Sequence, residues 1–151
     1  MTARVGWVRT IETGIDIAAP RWRVWQVLTD VDRYPAWNPF VTSVEGVLRD
    51  GSKLRVRVEP PGRKAMTIEP TVVALAQERE LRWRGRLLVP GLLDSEHAFR
   101  LEERAGGCRF HQTERFSGVP VPLFGAGLLE ATRRGFEAMN VVLKARAEDQ
   151  K

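Results

Sequence analysis

The chain has 151 residues and is 43% hydrophobic, which fits one globular domain that needs no disulfide or structural metal. Its single cysteine, Cys108, excludes an internal disulfide and a cysteine-based metal cage, and it predicts a reducing, cytoplasmic setting. The net charge of +5 has no nucleic-acid-binding motif beside it, and no apolar run has the roughly 20 residues that span a bilayer, so neither partner is expected.

The first two elements are a strand and a short helix. Residues 7–17 carry isoleucines on one face, which predicts a strand with one buried side. Residues 20–29 repeat apolar side chains at helical spacing, and Pro20 suits the first turn of a helix. Trp22 and Trp25 flank that apolar stripe, and we interpret both as core residues.

A compact bend follows the helix. Pro35 and Pro39 each push the preceding residue out of the helical region, so the chain must turn sharply here. Trp37 and Phe40 are large apolar groups within this bend, and they require burial in a core or against a ligand. Asn38 is predicted to cap the bend, and a hydrogen bond to a ligand is the alternative.

After the bend the apolar period changes to two, which predicts strands separated by glycine- or proline-containing turns. Pro70 lies inside the third of these strands and predicts a sheet edge or a bulge. The last element, residues 124–147, has a broad apolar stripe and is the longest predicted helix. The six strands are predicted at residues 41–48, 53–59, 64–76, 80–88, 94–103 and 108–117.

This order of elements predicts the fold class. Consecutive strands with tight turns make an antiparallel sheet, and a lone long helix must cover one face of it. We therefore predict an α+β fold, formed by a single domain over residues 1–151, in which a curved sheet wraps the C-terminal helix.

Side-chain parity places three polar groups on the inner face of the last two strands. Odd positions of the first of these strands are apolar, so His97 faces inward together with Phe99. Even positions of the second strand are apolar, so Gln112 and Glu114 face inward as well. The sheet interior is therefore expected to contain an imidazole, a carboxyl group and an amide.

The turn between these two strands leaves two registers open. A loop at residues 105–106 places His97 opposite Glu114, with about 5 Å between their Cβ atoms. A loop at residues 106–107 places Glu114 opposite Phe99 and leaves His97 on the diagonal, at about 7–8 Å. A slip by one residue is excluded, because it would bury the arginines of the outer face.

A carboxylate on an apolar inner face is costly when charged, and a neighbouring imidazole reduces that cost. One hypothesis is that His97 and Glu114 form an acid/base pair, with Gln112 orienting a substrate carbonyl or hydroxyl. Such a pair suits proton abstraction next to a carbonyl in a cyclisation or dehydration. The alternative is a hydrogen-bonded polar patch with a few buried waters in a ligand cavity.

The remaining candidates are walls of that cavity, for which we expect a volume on the order of 300–1,000 Å³. Trp37 and Trp83 either stack on a ring-bearing ligand or pack in the core. Met139 either adapts to varied ligands or fills the core. The predicted ligand-binding residues are Trp37, Asn38, Phe40, Met66, Trp83, Phe99, Gln112, Leu128, Thr132 and Met139.

Two apolar segments at residues 89–93 and 119–124 predict either a cavity mouth or a dimer contact. Motifs for phosphate loops and nucleophile elbows are absent, and two histidines with one cysteine make no convincing metal site. Neither a metal nor a cofactor is therefore predicted.

Four features follow one another over residues 10–147: the element order, the bend at residues 30–40, the strand end at residues 116–118 and the helix segment 133–140. Together they resemble the SRPBCC superfamily, and within it the bacterial polyketide cyclase/dehydrase-like branch, related to START and birch-pollen-allergen-like domains. The resemblance implies a helix-grip fold: a seven-stranded antiparallel sheet around the C-terminal helix, a short helical pair after the first strand, and an internal cavity. It also implies binding of lipids, sterols, polyketides, quinones or hormones, with catalysis in some members.

Three functions are predicted from these observations. The first is binding of a small hydrophobic molecule, such as a lipid, polyketide or aromatic metabolite, in the cavity. The second is a cyclase or dehydratase that uses His97 and Glu114 without a cofactor. The third is an interaction module whose apolar segments dock a partner or a second copy of the chain. Binding leads, because the sequence offers one acid/base pair and no second base.

Overall fold

The computed structural model describes residues 8–86, 94–118 and 126–149. Within these ranges lie eight strands, three α-helices and one 3₁₀ turn, a mixture that agrees with the predicted α+β class. In chain order they are β1 (Val8–Ile17), α1 (Arg21–Thr29), the 3₁₀ turn (Val31–Arg33), α2 (Tyr34–Trp37), β2 (Val41–Glu45), β3 (Arg55–Val58), β4 (Met66–Ile68), β5 (Thr71–Ala76), β6 (Glu80–Arg86), β7 (Asp94–Arg104), β8 (Gly107–Ser117) and α3 (Ala126–Glu148).

The strands form two antiparallel sheets, with five strands in the order β1-β8-β7-β6-β5 and three in the order β2-β3-β4. The prediction of a single seven-stranded sheet is therefore wrong. The strand expected over residues 64–76 is divided at Pro70, which has no N–H for a ladder, so β4 and β5 lie in different sheets. The division raises the number of strands in the described residues to eight.

A short segment before β3 connects the two sheets. Gly51 N–H donates to Val72 O over 2.9 Å, and Val72 N–H donates to Ser52 O over 2.8 Å. Leu54 N–H also donates to Pro70 O over 2.8 Å. The chain thus continues the backbone pairing from the edge of the larger sheet to the start of β3.

The β7–β8 hairpin has the first of the two predicted registers. Arg104 pairs with Gly107 and His97 pairs with Glu114, so the loop is at residues 105–106. Gly106 has φ of 83°, which suits the left-handed positions of a two-residue hairpin turn. A Cβ atom at Gly107 would lie 2.0 Å from the carbonyl oxygen of Ile17, so a side chain there would collide with the end of β1.

Two arginines on the outer face of β6 share one carboxylate of β7. Arg82 and Arg84 each contact Glu96 at 2.8 Å across the β6–β7 pair. Burial alone would raise the pKa of Glu96, but hydrogen bonds from Arg84 and Arg82 outweigh it and lower that pKa. These charged groups lie on the outer face of β6, while Trp83 between the two arginines is buried.

The bend between α1 and β2 is held by side-chain hydrogen bonds. The hydroxyl of Tyr34 donates to Leu28 O, and Tyr34 is fully buried. The side-chain oxygen of Asn38 accepts from the N–H groups of Phe40 and Val41 at 3.0 and 2.9 Å, as the capping prediction requires. Trp22, predicted in the core, is instead 49% exposed, since it lies on the outer side of α1 with the Arg23 guanidinium 5.5 Å above its ring.

Helix α3 lies against β1 and α1 through a buried stripe, as its apolar periodicity predicts. Gly135 on this helix faces Phe40, and a Cβ atom there would lie 2.2 Å from Cδ1 of the ring. At the other end of the helix, the Glu148 carboxylate accepts from Ala18 N–H over 2.7 Å and from Lys144. Lys144 also donates to the carbonyl oxygen of Asp16 over 2.9 Å. No helix in residues 8–86, 94–118 or 126–149 is long and apolar enough to cross a membrane.

Candidate functional site

A cavity of about 60 Å³ lies where both sheets face α3. Aromatic and aliphatic side chains form most of its wall, and His97, Glu114, Ser95 and Thr132 supply the polar part. Its described lining is Phe40, Val41, Val58, Pro60, Met66, Ile68, Trp83, Ser95, His97, Glu114, Phe116 and Thr132.

This volume is far below the 300–1,000 Å³ expected from the sequence, because aromatic rings fill the interior. The His97 ring centroid lies 4.6 Å from that of Phe99 and 4.9 Å from that of Phe136. Trp83 stacks on the other side of His97 at 5.6 Å with 29° between the ring planes. The space that remains is sufficient for a few waters.

His97 and Glu114 lie together at the cavity. Nδ1 of His97 is 3.3 Å from Oε1 of Glu114, and the two side chains are only 4% and 11% exposed. The other ring nitrogen, Nε2, is 3.0 Å from Oε1 of Gln112. The imidazole is therefore held on both sides by groups from β8.

Gln112 extends the hydrogen bonding from His97 into the protein interior, away from the cavity. It is fully buried, and its amide nitrogen donates to Oδ1 of Asn140 over 2.8 Å and to Phe136 O over 3.4 Å. The Asn140 amide nitrogen donates to the Thr13 hydroxyl oxygen over 2.9 Å, and that hydroxyl donates to the carbonyl oxygen of Gln112 over 2.9 Å. A buried hydrogen-bond chain thus joins β1, β8, α3 and β7.

The donors and acceptors of this hydrogen-bond chain can be arranged in one way only, because the hydrogen bonds end on two backbone carbonyl oxygens that only accept. Phe136 O requires the Gln112 amide nitrogen on its side, which turns the Gln112 oxygen towards His97. His97 must therefore donate from Nε2. Its Nδ1 then faces Oε1 of Glu114 at 3.3 Å, and a proton on either atom would form a hydrogen bond between them.

The structure brings six of the predicted residues to the cavity wall: Phe40, Met66, Trp83, His97, Glu114 and Thr132. Phe99, Gln112 and Met139 are fully buried but are not part of that wall. Asn38 caps the bend, Leu128 is half-buried and accepts from the Thr132 hydroxyl, and Trp37 lines an outer groove beside α1. The apolar segments at residues 89–93 and 119–124 lie outside the described residues.

Asn140 and Thr13 are the members of the network that sequence reasoning missed. Asn140 is 2% exposed and lies one turn after Phe136 on the buried stripe of α3. A polar residue on an apolar helix stripe signals a buried hydrogen-bond partner, because an unpaired amide there would be costly. No cluster of three potential metal ligands occurs among the residues that the structure describes.

The fold is shared with three solved structures of low sequence identity. The di-domain aromatase/cyclase StfQ from the steffimycin biosynthetic pathway has a TM-score of 0.73 at 17% identity, over 97% of this chain and 52% of that protein. This chain thus spans about half of StfQ. The aromatase/cyclase Zhui from Streptomyces sp. R1128 has a TM-score of 0.69 at 23% identity, over 93% of this chain and 94% of that one.

A START superfamily protein from Mycobacterium smegmatis has a TM-score of 0.71 at 19% identity, over 92% of this chain and 97% of that protein. No curated protein sequence is significantly similar to this one. The family model described as "Polyketide cyclase / dehydrase and lipid transport" matches residues 8–148, nearly the full length. The chain therefore belongs to the polyketide cyclase/dehydrase and lipid transport family.

Proposed function

We propose that the protein binds a small hydrophobic molecule between its two sheets and α3. The observation that carries this proposal is the composition of the cavity wall, which is apolar and aromatic except for a buried pair and two hydroxyls. Burying an imidazole and a carboxyl group beside empty apolar space is costly, and a ligand that uses them gives a reason for that cost. Membership of a family described by lipid transport and polyketide chemistry also supports binding.

A ligand larger than a few waters requires one wall to move, and β4 is the wall best suited to do so. It has three residues and lies at the edge of the smaller sheet. Its residue Met66 lines the cavity and is also 43% exposed, so this side chain contacts both the cavity and solvent. Few hydrogen bonds and little buried surface hold such a strand in place.

The test is a titration with a sterol, a flavonoid, a quinone and a fatty acid, followed by amide chemical shifts. Binding at this site should shift amides of β4, β7 and β8, and Thr132→Leu should weaken it by filling the cavity. Val141→Leu is the matched control, since Val141 lies on the same helix but is 58% exposed. Shifts confined to other surfaces, or equal affinities for both variants, would contradict the proposal. Native mass spectrometry of the purified protein would reveal a co-purified ligand directly.

A second candidate function is a cofactor-independent cyclase or dehydratase, and the 3.3 Å contact between His97 and Glu114 favours it. The Glu114 carboxylate would accept a proton from a carbon next to a carbonyl, and the resulting enolate would attack a second carbonyl of the same molecule. The pair would then return the proton to the new alkoxide. Glu114→Gln keeps the shape of the side chain but removes the base. Unchanged turnover of a poly-β-keto substrate by this variant would exclude the role.

A further inference from the structure

The charges around the cavity restrict the ligand more sharply than its apolar wall does. The described wall contains no arginine or lysine, although the chain as a whole has a net charge of +5. Its ionisable groups are His97 and Glu114, so the described wall offers no permanently charged cation. A ligand carboxylate would therefore be buried next to Glu114 without a counter-charge, which is strongly unfavourable.

The hydrogen-bond donors beside the pair are already used within the protein. The Nε2–H of His97 is directed to Gln112, and the Gln112 amide donates to Asn140 and Phe136. The Thr132 hydroxyl donates to the carbonyl oxygen of Leu128 over 2.9 Å, which leaves its oxygen as an acceptor.

Glu114 is the strong acceptor that remains. Its Oε1 faces Nδ1 of His97, and its second carboxyl oxygen can accept a hydrogen bond from a ligand. Ser95, whose hydroxyl rotates, and the indole N–H of Trp83 are the remaining side chains of the described wall with a donor to offer. A ligand group that both donates and accepts matches this set.

We infer that the cavity selects a neutral ligand with a hydroxyl group, such as a phenol or an enol, which donates to Glu114, over a carboxylate or an ether. This inference rests on the proposed ligand-binding function and names the chemical class of its ligand. A hydrogen bond to a charged or charge-sharing acceptor commonly changes affinity ten-fold or more.

Three probes of similar size separate the possibilities: 2-naphthol, 2-methoxynaphthalene and 2-naphthoate. Amide chemical shifts in β4, β7 and β8 report binding and give the dissociation constants. We expect 2-naphthol to bind about ten-fold tighter than the methyl ether, and 2-naphthoate to bind more weakly than both. Glu114→Leu should bring the naphthol-to-ether ratio close to one, whereas Glu137→Leu, an exposed glutamate on α3, should leave it unchanged.

The outcomes distinguish this inference from the function on which it rests. Binding of 2-naphthoate as tight as that of 2-naphthol, or equal binding of 2-naphthol and its ether by the unmodified protein, overturns the inference and leaves ligand binding intact. No shift of these strands with any of the three probes overturns ligand binding itself. The ratio of the affinities for 2-naphthol and 2-methoxynaphthalene, measured on the unmodified protein, tests the inference even if Glu114→Leu does not fold.

Discussion

Gly135→Ala tests how tightly the bend is packed on helix α3. The added Cβ atom would lie 2.2 Å from Cδ1 and 2.7 Å from Cε1 of Phe40, against 3.4 Å or more in ordinary contacts. The Phe40 ring would have to move by about 1 Å, but it is buried and meets Phe136 edge-on at 5.3 Å between centroids. Overpacking of this kind costs about 1–3 kcal/mol.

Gly127→Ala is the matched control, because it adds the same methyl group to α3 but in the first turn, where the gain in helix propensity is smaller than the roughly 1 kcal/mol gained at the interior position Gly135. The new Cβ of Gly127→Ala would meet Arg63 at 2.6 Å, but the contact is with the end of a flexible, exposed side chain that can move away. We therefore expect Gly135→Ala to be less stable than Gly127→Ala by up to about 2 kcal/mol, the cost of overpacking less the gain in interior helix propensity.

Urea unfolding of both variants at 25 °C measures this difference. The midpoint of Gly135→Ala should be clearly lower while the m-value stays the same, which indicates a change in stability alone. Phe40 also lines the cavity, so its displacement should alter the affinity for 2-naphthol. A Gly135→Ala variant that is about 1 kcal/mol more stable than the unmodified protein, the full gain in helix propensity, would show that Phe40 yields freely and would refute the reasoning.

Two further predictions concern protons. Long-range ¹H–¹⁵N spectra should show hydrogen on Nε2 of His97 throughout the folded pH range, and a neutral imidazole protonated on Nδ1 would contradict the inferred direction of the hydrogen-bond chain. Burial, with a smaller contribution from Asp30, raises the pKa of Tyr34 above its ordinary 10.0. The folded protein then holds this proton more tightly than the unfolded one, so its contribution to stability is complete below pH 10 and falls above it. Tyr34→Phe should lower the free energy of unfolding by about 1 kcal/mol at pH 7, because the hydrogen bond to Leu28 is lost. In denaturant titrations, this variant should also lose less stability above pH 10 than the unmodified protein does. An unchanged loss of stability at high pH would exclude Tyr34 as its source.

The β7–β8 hairpin illustrates what local sequence chemistry is able to predict. Alternation of polar and apolar residues was sufficient to direct His97, Gln112 and Glu114 inward, because a one-residue slip would bury arginines. The choice between the two remaining registers depended on the conformation of Gly106, whose positive φ completes the turn. Alternation is a property of neighbouring residues and can be read from the sequence, whereas the choice of register became clear only in the structure.

Features that depend on distant partners were not predictable in the same way. Pro70 indicated an interruption, but its effect on the sheet depends on residues 51–54, which pair with the start of β5. The contact between Gln112 and Asn140 depends on the rotation of α3 about its own axis, which sequence periodicity defines only to within a broad stripe. Cavity volume depends on how far Phe40 approaches the helix at Gly135.

Helix α3 is attached by hydrogen bonds at its C-terminal end, so a tilt about that end displaces its N-terminal half the most. Glu148 and Lys144 attach that end to Ala18 and to the end of β1 at Asp16, whereas Thr132 lies 16 residues before Glu148 (148 − 132), about 24 Å along the axis. A rotation of about five degrees about the attached end would displace Thr132 by roughly 2 Å, because Thr132 lies about 24 Å from that end at a rise of about 1.5 Å per residue. Because the pivot lies far from the cavity, such a tilt would widen the space beside Glu114 and would strain the contacts of Phe136 with Gln112 and Phe40, while the strand ladders stay intact.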